Sequence, residues 1–445
     1  MQNKKYYIET YGCQMNVADS ELVAGLLEKN GYTKTNLDLE ANIIFLNTCA
    51  IREHAEDKIH SRLGRLNKLK KNKPETIIGI LGCMAQNVKD DILENKPYVD
   101  FVLGPDSYKR IPDLLKRQLI QEESIVDTRL SKFEVYENLF PSRNNGVNAW
   151  VSIMRGCDKF CTFCIVPFTR GRERSRSLQS IIDEVKKAVD MGFIEVTLLG
   201  QNVNSYNHNN VKFPKLIDSV ANISGLQRIR FTSPHPQDID DELLFVMRDN
   251  HNICNSVHLP LQAGSNKILK KMNRTYTKEK FMILSDKIRN ILSNSSITTD
   301  IIAGFPGETE KDFNETLDVM NYVKFDSAFT FKYSSRPGTK ASEFDNHIDE
   351  RIRQLRLAKL VELQKKHTLH RNKLEIGKKV KVLVEKNSKK SKNKLSGRTD
   401  NNKWVIFPNN NINIGEIITV KITDARGISL FGEKIKMKDE NYAII

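Results

Sequence analysis

Three times near the start of the chain, a short apolar run ends at a cysteine and a helical pattern follows. YYIETYGC (6–13) stops at Cys13, and the spacing of Val17, Leu22, Val23, Leu26 and Leu27 then predicts a helix closed by Gly31. ANIIFLNTC (41–49) stops at Cys49 and precedes an amphipathic segment from about Ala55 to Lys71. ETIIGILGC (75–83) stops at Cys83, with a helix expected around Val88–Leu93, and VDFVLG (99–104) opens a fourth unit that has no cysteine. The cysteines lie 36 and 34 residues apart, one βα repeat each. Open parallel sheets bind ligands outside the carboxyl ends of their strands. Residues 1–120 are therefore expected to form an open parallel βα domain in which Cys13, Cys49 and Cys83 converge on one metal centre. A cysteine serving only the strand core would more often sit mid-strand.

Residues 121–148 show no clean period and carry Pro141, Ser142, Asn144, Asn145 and Gly146, which predicts a linker. Six strand candidates follow in 149–373: AWVSIM (149–154), IEVTLLG (194–200), QRIRFTS (227–233), SVHLP (256–260), ITTDIIAG (297–304) and SAFTFKY (327–333), with amphipathic helices between them. Such alternation predicts a parallel sheet with right-handed crossovers, and six units are too few for a closed eight-strand barrel. Residues 350–373 read as a basic amphipathic helix, with Leu355, Leu357, Leu360, Val361 and Leu363 expected to pack on the central domain. After Gly377 the period becomes two. KVKVLVEK, a lysine-rich tip KNSKKSKNKLSG, NKWVIFP, GEIITVKITDA and ISLFGEKI predict a small β-barrel of oligonucleotide-binding type over 376–445.

Charge changes the picture most at that end. The formal net charge is +15, and residues 371–445 hold 17 Lys and Arg against 8 Asp and Glu. A polyanionic partner is expected there, with Lys389, Lys390 and Lys392 tracking phosphates and Trp404 stacking on a base. A solvated lysine face around ordinary core aromatics (Trp404, Phe407) is the plainer alternative. No apolar run approaches a membrane span, and MQNKKYYIET lacks a signal-peptide core. Seven cysteines, mostly unpaired in sequence, point to a reducing cytoplasm and thiolate ligands rather than disulfides.

The candidate chemistry centres on Cys157-Asp-Lys-Phe-Cys161-Thr-Phe-Cys164. Three thiolates from one loop can face one centre and leave a coordination position empty, whereas structural zinc closes its shell with four protein ligands. An iron–sulfur cube held through three irons fits that count. Next comes TRGRERSR (169–176), with Arg170, Arg172, Arg174 and Arg176 at alternate positions. It reads either as an exposed charged strand or as a basic rim for a phosphate backbone. Several strand ends look loaded with turn or cofactor chemistry. Gly200, Gln201 and Asn202 follow one strand, Gln262 lies in HLPLQAGS (258–265), and Gly304 lies in DIIAGFPGE (300–308). Glycine lets backbone approach a ligand, and amides can read a zwitterion's amino group. Cys254 is left over and is expected to be an inert core residue.

The C-x3-C-x2-C spacing, with Phe163 before the last cysteine, resembles the radical S-adenosylmethionine (SAM) superfamily. TYGCQMN (10–16), NTCAIREHAEDK (47–58) and LGCMAQ (81–86) resemble the amino-terminal domain of its methylthiotransferases, and IVPFTRGRERSR resembles that family's motif. YGCQMN with NTCAIRE is similar to the tRNA-modifying branch. One departure is Ala263, where the family usually has serine. The resemblance implies a central (β/α)6 partial barrel and a carboxy-terminal TRAM domain. It implies two [4Fe–4S] clusters: one on Cys157, Cys161 and Cys164 that splits SAM to a 5′-deoxyadenosyl radical, and one on Cys13, Cys49 and Cys83 that carries sulfur. SAM contacts would fall to Phe163, Gly200, Gln201, Asn202, Gln262 and Gly304. The implied reaction is methylthiolation at C2 of N6-isopentenyladenosine next to the anticodon of tRNA. It would need an electron donor such as flavodoxin or ferredoxin, and the chain would work as a monomer. Two other readings use the same cysteines: an iron–sulfur RNA-binding sensor, and the branch that modifies a ribosomal protein. A sensor needs no vacant iron.

Overall fold

The computed structural model describes residues 4–49, 53–88, 91–121, 123–143, 146–389 and 391–435. Strand β1 (Lys5–Thr10) leads into helix α1 (Gln14–Lys29), and a short edge strand β2 (Thr33–Lys34) follows. Then come β3 (Ile43–Thr48), α2 (Glu53–Asn72), β4 (Ile77–Gly82), α3 (Cys83–Val88), α4 (Asp91–Asn95), β5 (Phe101–Leu103), α5 (Ile111–Gln121) and β6 (Ile125–Asp127). The six strands are parallel, in the order β2-β1-β3-β4-β5-β6. Every residue of β3 and β4 is buried, because helices cover both faces, which is why these strands read as continuous apolar runs. Leu22, Leu27 and Leu115 pack on one face, and Ile59, Leu63 and Leu66 on the other.

Two expectations are corrected in this domain. The helix expected around Val88–Leu93 is two short helices, and the first of them begins at Cys83 itself. The stretch 121–148, expected to be a linker, supplies β6, which pairs with β5, and then a strap across the domain joint. Along that strap Tyr136 is buried, stacks on Tyr108 at 5.8 Å, and donates its hydroxyl to Pro105 O at 2.7 Å. A strand of only three residues is too short to show a period.

The central region runs β7 (Asn148–Ser152), β8 (Met154–Arg155), α6 (Val166–Arg170), β9 (Arg174–Ser175), α7 (Leu178–Asp190) and β10 (Glu195–Leu199). A small hairpin of β11 (Asn207–His208) and β12 (Val211–Lys212) precedes α8 (Phe213–Ala221), β13 (Arg228–Phe231) and α9 (Asp241–Asp249). The rest is β14 (Ser256–His258), α10 (Asn266–Lys271), α11 (Lys278–Ile291), β15 (Ser296–Ala303), α12 (Glu310–Val323), β16 (Ser327–Lys332) and α13 (Glu350–Lys373). Strands β13-β10-β7 and β14-β15-β16 form two parallel triplets, linked by a parallel bridge between Ile229 and Ile253. The six expected strands are thus one open arc. Helix α13 has the expected bounds, and Leu360 and Leu363 pack on the central core as expected, but most of its buried side chains are polar. Leu355 is 64% exposed, while Arg356, Leu360, Gln364, His367, Thr368 and Asn372 are buried. The helix crosses backbone that needs donors: Gln364 donates to Phe325 O at 2.9 Å and Thr368 to Asp326 O at 2.9 Å.

Strands β17 (Lys379–Ser388), β18 (Ser391–Thr399), β19 (Trp404–Pro408), β20 (Ile417–Arg426) and β21 (Ser429–Lys434) close a barrel in the order β17-β18-β19-β21-β20. The lysine-rich tip is not a loop, because it contributes the end of β17 and most of β18. This barrel docks at the amino ends of the central strands. Arg228 and Arg230, at the start of β13, donate to the carbonyls of Arg398 and Thr399 at 2.6 and 2.8 Å. Arg398 in turn pairs with Glu195, the first residue of β10, at 2.9 Å.

Buried charge holds the other joint. Arg143 of the strap reaches Glu21 of α1 at 3.2 Å and Glu184 of α7, and Arg176 takes the second oxygen of Glu184 at 2.5 Å. Burial alone would raise the Glu184 carboxyl, but the two guanidiniums hold it below its usual range. Glu184→Ala should leave two buried guanidiniums short of a carboxylate and cost about 3–5 kcal/mol. A urea-denaturation midpoint indistinguishable from that of the unmodified chain would contradict this.

Candidate functional site

Each amino-terminal cysteine stands where the backbone turns off a strand end. Cys13 caps α1, and its carbonyl accepts from Asn16 N at 3.0 Å. Gly12 and Gly82 precede two of the cysteines with φ of +127° and +91°. A Cβ on Gly12 would lie 2.6 Å from the Cβ of Cys49, and one on Gly82 would lie 2.4 Å from Asn47 Oδ1, so only glycine fits either place. Asn47, just before Cys49, donates to Asn16 O at 2.8 Å and to Ser20 Oγ at 2.9 Å. The asparagines of the QMN and NTC motifs therefore pin the Cys13 and Cys49 turns together. Residues 50–52 lie outside the described part.

Arg170 reaches this site from the central domain. Its Nε donates to Cys83 Sγ at 3.2 Å and its Nη2 to Asp19 Oδ2 at 2.8 Å, while Arg155 Nη2 takes Asp19 Oδ1 at 2.5 Å. Asp19 has no exposed side-chain surface. Burial would raise its carboxyl, but the two guanidiniums overcome that and hold it below the usual range. The Cys13 thiol is pulled down to about 6, first by its hydrogen bond with Cys49 and then, against burial, by the Arg170 charge. Burial pushes Cys83 up despite Arg170. Ile165 packs on Cys83, and Ile165 directly follows Cys164 in the chain, so the two cysteine groups are neighbours across α6.

The central cysteine loop is fixed from both sides. Cys157 N donates to Gly171 O at 3.2 Å, Thr162 N to Met272 O at 3.1 Å, and Ala341 N to Thr162 O at 2.8 Å. Phe160 sits in the left-handed region at φ +47°, and Asn273 donates to its carbonyl at 3.0 Å. Burial pushes the Cys157 and Cys164 thiols up, to about 11 and about 12. Arg274 donates to Cys161 Sγ at 3.3 Å, the counterpart of Arg170 on Cys83. Among the described residues, no group of three His, Cys, Asp or Glu side chains is arranged to hold one metal ion. A cube bonds each thiolate through a different iron, so its ligands surround a body rather than a point. The three-thiol donor sets, the unfillable glycine positions and the guanidiniums beside sulfur fit such clusters.

The expected SAM contacts are distributed around this loop. Gln201 Oε1 accepts from Gly156 N at 2.5 Å, and Asn202 donates to Asp238, which also pairs with Lys159 at 2.7 Å. Asn202 Oδ1 is buried with no partner among the described residues. Gly200 packs against Met154, where a Cβ would come within 2.7 Å. Phe163 meets Phe305 edge-on at 6.5 Å, next to Gly304, whose N donates to Glu308 Oε2 at 2.8 Å. Gln262 is buried at φ +66° and joins β14 to β15 through backbone bonds with Asp300 and Ile302. The buried Cys254 lies in the core as expected.

The expected arginine rim is corrected. Arg170, Arg174 and Arg176 are 3%, 5% and 6% exposed and pair with Asp19, Asp106 and Glu184. Only Arg172 faces solvent, at 69%, paired with Asp158 and lying 5.3 Å from the Phe160 ring. On the barrel, Lys389 is exposed, Phe407 is core, and Trp404 lies under Lys386 Nζ at 4.2 Å. Lys390 and the side chain of Lys392 lie outside the described residues. Sequence reasoning missed Asp19, Arg155 and Arg274. Asp19 does leave a trace, as an acid inside the apolar stripe of α1 between Met15 and Val23.

In the chain without clusters, Cys13 should carboxymethylate half-maximally near pH 6, because its thiolate predominates above that pH. Cys157 and Cys164 should stay thiols beyond pH 9. Peptide mass spectrometry across pH checks this, and a Cys13 that reacts only above pH 8 would contradict it.

Comparison with known proteins places these parts. Residues 5–104 match the uncharacterized protein family UPF0004, residues 151–320 the Radical SAM superfamily, and residues 373–435 the TRAM domain. The chain is 47% identical over 441 residues to a tRNA-2-methylthio-N(6)-dimethylallyladenosine synthase of Thermoanaerobacter sp. (strain X514), covering 98% of this chain and 94% of that protein. It is 45% identical over 437 residues to the synthase of Carboxydothermus hydrogenoformans, covering 97% and 99%. Among solved structures, the radical SAM methyltransferase TsrM of Kitasatospora setae aligns with a TM-score of 0.58 at 15% identity, over 77% of each chain, a likeness of fold alone. The chain belongs to the tRNA-2-methylthio-N(6)-dimethylallyladenosine synthase family, radical SAM methylthiotransferases that use S-adenosylmethionine and two [4Fe–4S] clusters.

Proposed function

We propose that Cys157, Cys161 and Cys164 hold the cluster at which SAM binds, and that Cys13, Cys49 and Cys83 hold the cluster that supplies sulfur to C2 of N6-isopentenyladenosine next to the anticodon. The adjacency of the two cysteine groups across α6 carries this reading, since Ile165 touches Cys83 and follows Cys164 in sequence. When bound, SAM and the clusters supply one-electron chemistry able to open an unactivated carbon–hydrogen bond, together with the sulfur.

The chain's own residues position and shield. Arg274 orients the Cys161 sulfur, and Gln201 clamps the turn before Cys157 through Gly156. The unpartnered Asn202 Oδ1 suits the ammonium of SAM, with Phe163 and Phe305 keeping water from the neighbouring wall. Arg172, Lys389 and Trp404 are the remaining candidates for contact with the tRNA. A flavodoxin or ferredoxin as reductant, a cytoplasmic setting and a monomeric state complete the reading. None of the seven cysteines is in a disulfide, and no described helix is long and apolar enough to cross a membrane.

Cys161→Ala should abolish 5′-deoxyadenosine formation from SAM. Cys49→Ala should keep about half the iron and still form 5′-deoxyadenosine under strong reductant, yet leave tRNA without the methylthio group by nucleoside mass spectrometry. The reverse pattern would exchange the two roles. On the barrel, Lys386→Glu with Lys389→Glu should weaken tRNA binding and lower the log–log salt slope by about 1–2. An unchanged slope would remove this edge from the RNA contact.

A further inference from the structure

The buried charges around Asp19 do not balance. Asp19 and Asp106 face Arg155, Arg170 and Arg174, all five nearly without exposed side-chain surface, so one of the three guanidinium charges has no carboxylate and falls to the cysteine sulfurs. Donors are in excess as well. Arg170 Nη1 and Arg155 Nε and Nη1 are buried with no acceptor among the described residues. An unmatched charge and unmade hydrogen bonds in a low-dielectric interior are costly, and they call for an anionic acceptor in the same space. The atoms at hand are sulfur, since Arg170 already donates to Cys83 Sγ at 3.2 Å. A dicationic iron–sulfur core on three thiolates carries one net negative charge, which is the missing counterpart.

We infer that Arg170 is a positioning residue of the amino-terminal cluster, which donates to the Cys83 thiolate and sets the cluster's reduction potential by favouring its more negative, reduced form. The inference rests on the proposal that Cys13, Cys49 and Cys83 hold a cluster. Hydrogen bonds to the sulfurs and nearby charge are the levers by which a protein tunes such a potential. Because Arg170 belongs to the central domain, the tuning exists only when the two domains are docked. Lysine could restore charge but not the fork that serves Cys83 and Asp19 together.

The test is an EPR-monitored redox titration of the reconstituted full-length chain, with dithionite as the electron source. The central cluster is recognised by the change in its signal when SAM is added. Arg170→Gln still leaves Asp19 paired with Arg155, so the fold should persist. Its amino-terminal cluster should reduce at a more negative potential than in the unmodified chain, with the central cluster unmoved, and Arg170→Lys should recover part of the shift. Asp19→Asn should move the same cluster the opposite way, to a more positive potential, which structural damage would not do. Full iron content with an unmoved potential in Arg170→Gln, or shifts of the same sign in Arg170→Gln and Asp19→Asn, would overturn the inference. Should Arg170→Gln fail to hold the amino-terminal cluster, the sign in Asp19→Asn decides: a potential at or below that of the unmodified chain overturns it. If the unmodified chain has iron for one cluster only, the cluster assignment fails, and this inference fails with it.

Discussion

A carboxylate with no access to water, Asp19, gripped by two guanidiniums from the neighbouring domain, fixes how this molecule is assembled. In a buried setting such a pair is not interchangeable with other contacts, because neither partner can turn to solvent if the match is lost. Arg155 and Arg170 approach Asp19 from β8 and from the end of α6, so the charge triad determines where α6 lies. Helix α6 is also the chain that follows Cys164. The lock that joins the domains therefore sets the separation between the two thiol groups as well. Arg174 with Asp106, and Arg143 with Glu184, repeat the device along the same joint.

The two cysteine groups are built by different means and finished in the same way. The amino-terminal group is assembled from three separate strand ends, held in place by the sheet and by the Asn16–Asn47 contacts. The central group comes from one loop, which needs pinning from α10 and from the segment before α13 to keep its shape. Each then receives one arginine on one sulfur, the buried Arg170 on Cys83 and the half-buried Arg274 on Cys161. A guanidinium never gives up its proton in this range, so the charge beside each sulfur is constant while the sulfur's own charge can change.

The strand-end places of the amino-terminal cysteines, the central cysteine loop and the central strands were legible because their signals are local. An apolar run ending at a cysteine marks a strand end, and C-x3-C-x2-C marks a loop. The arginine run misled for the opposite reason. Its period of two says nothing about which side of a segment is buried, and the acids that bury Arg170, Arg174 and Arg176 stand at 19, 106 and 184, far apart in the chain. Helix α13 was read only in part: Leu360 and Leu363 pack as its apolar period suggests, but its polar buried side serves carbonyls at Phe325 and Asp326 that no periodicity reports. Strand β6 escaped notice because three residues carry no pattern.

The small barrel sits against the amino ends of the central strands, whereas every cysteine loop leaves from the carboxyl ends. Strands of five to eight residues at about 3.3 Å per residue put roughly 16–26 Å of sheet between those faces. A molecule that touches both must span that depth. The body of the enzyme thus acts as a ruler: a lone nucleoside can meet the thiol end, but only a folded arm of matching reach can engage both ends at once. For a partner held at both faces, the thickness of the central domain therefore sets the reach that partner must have.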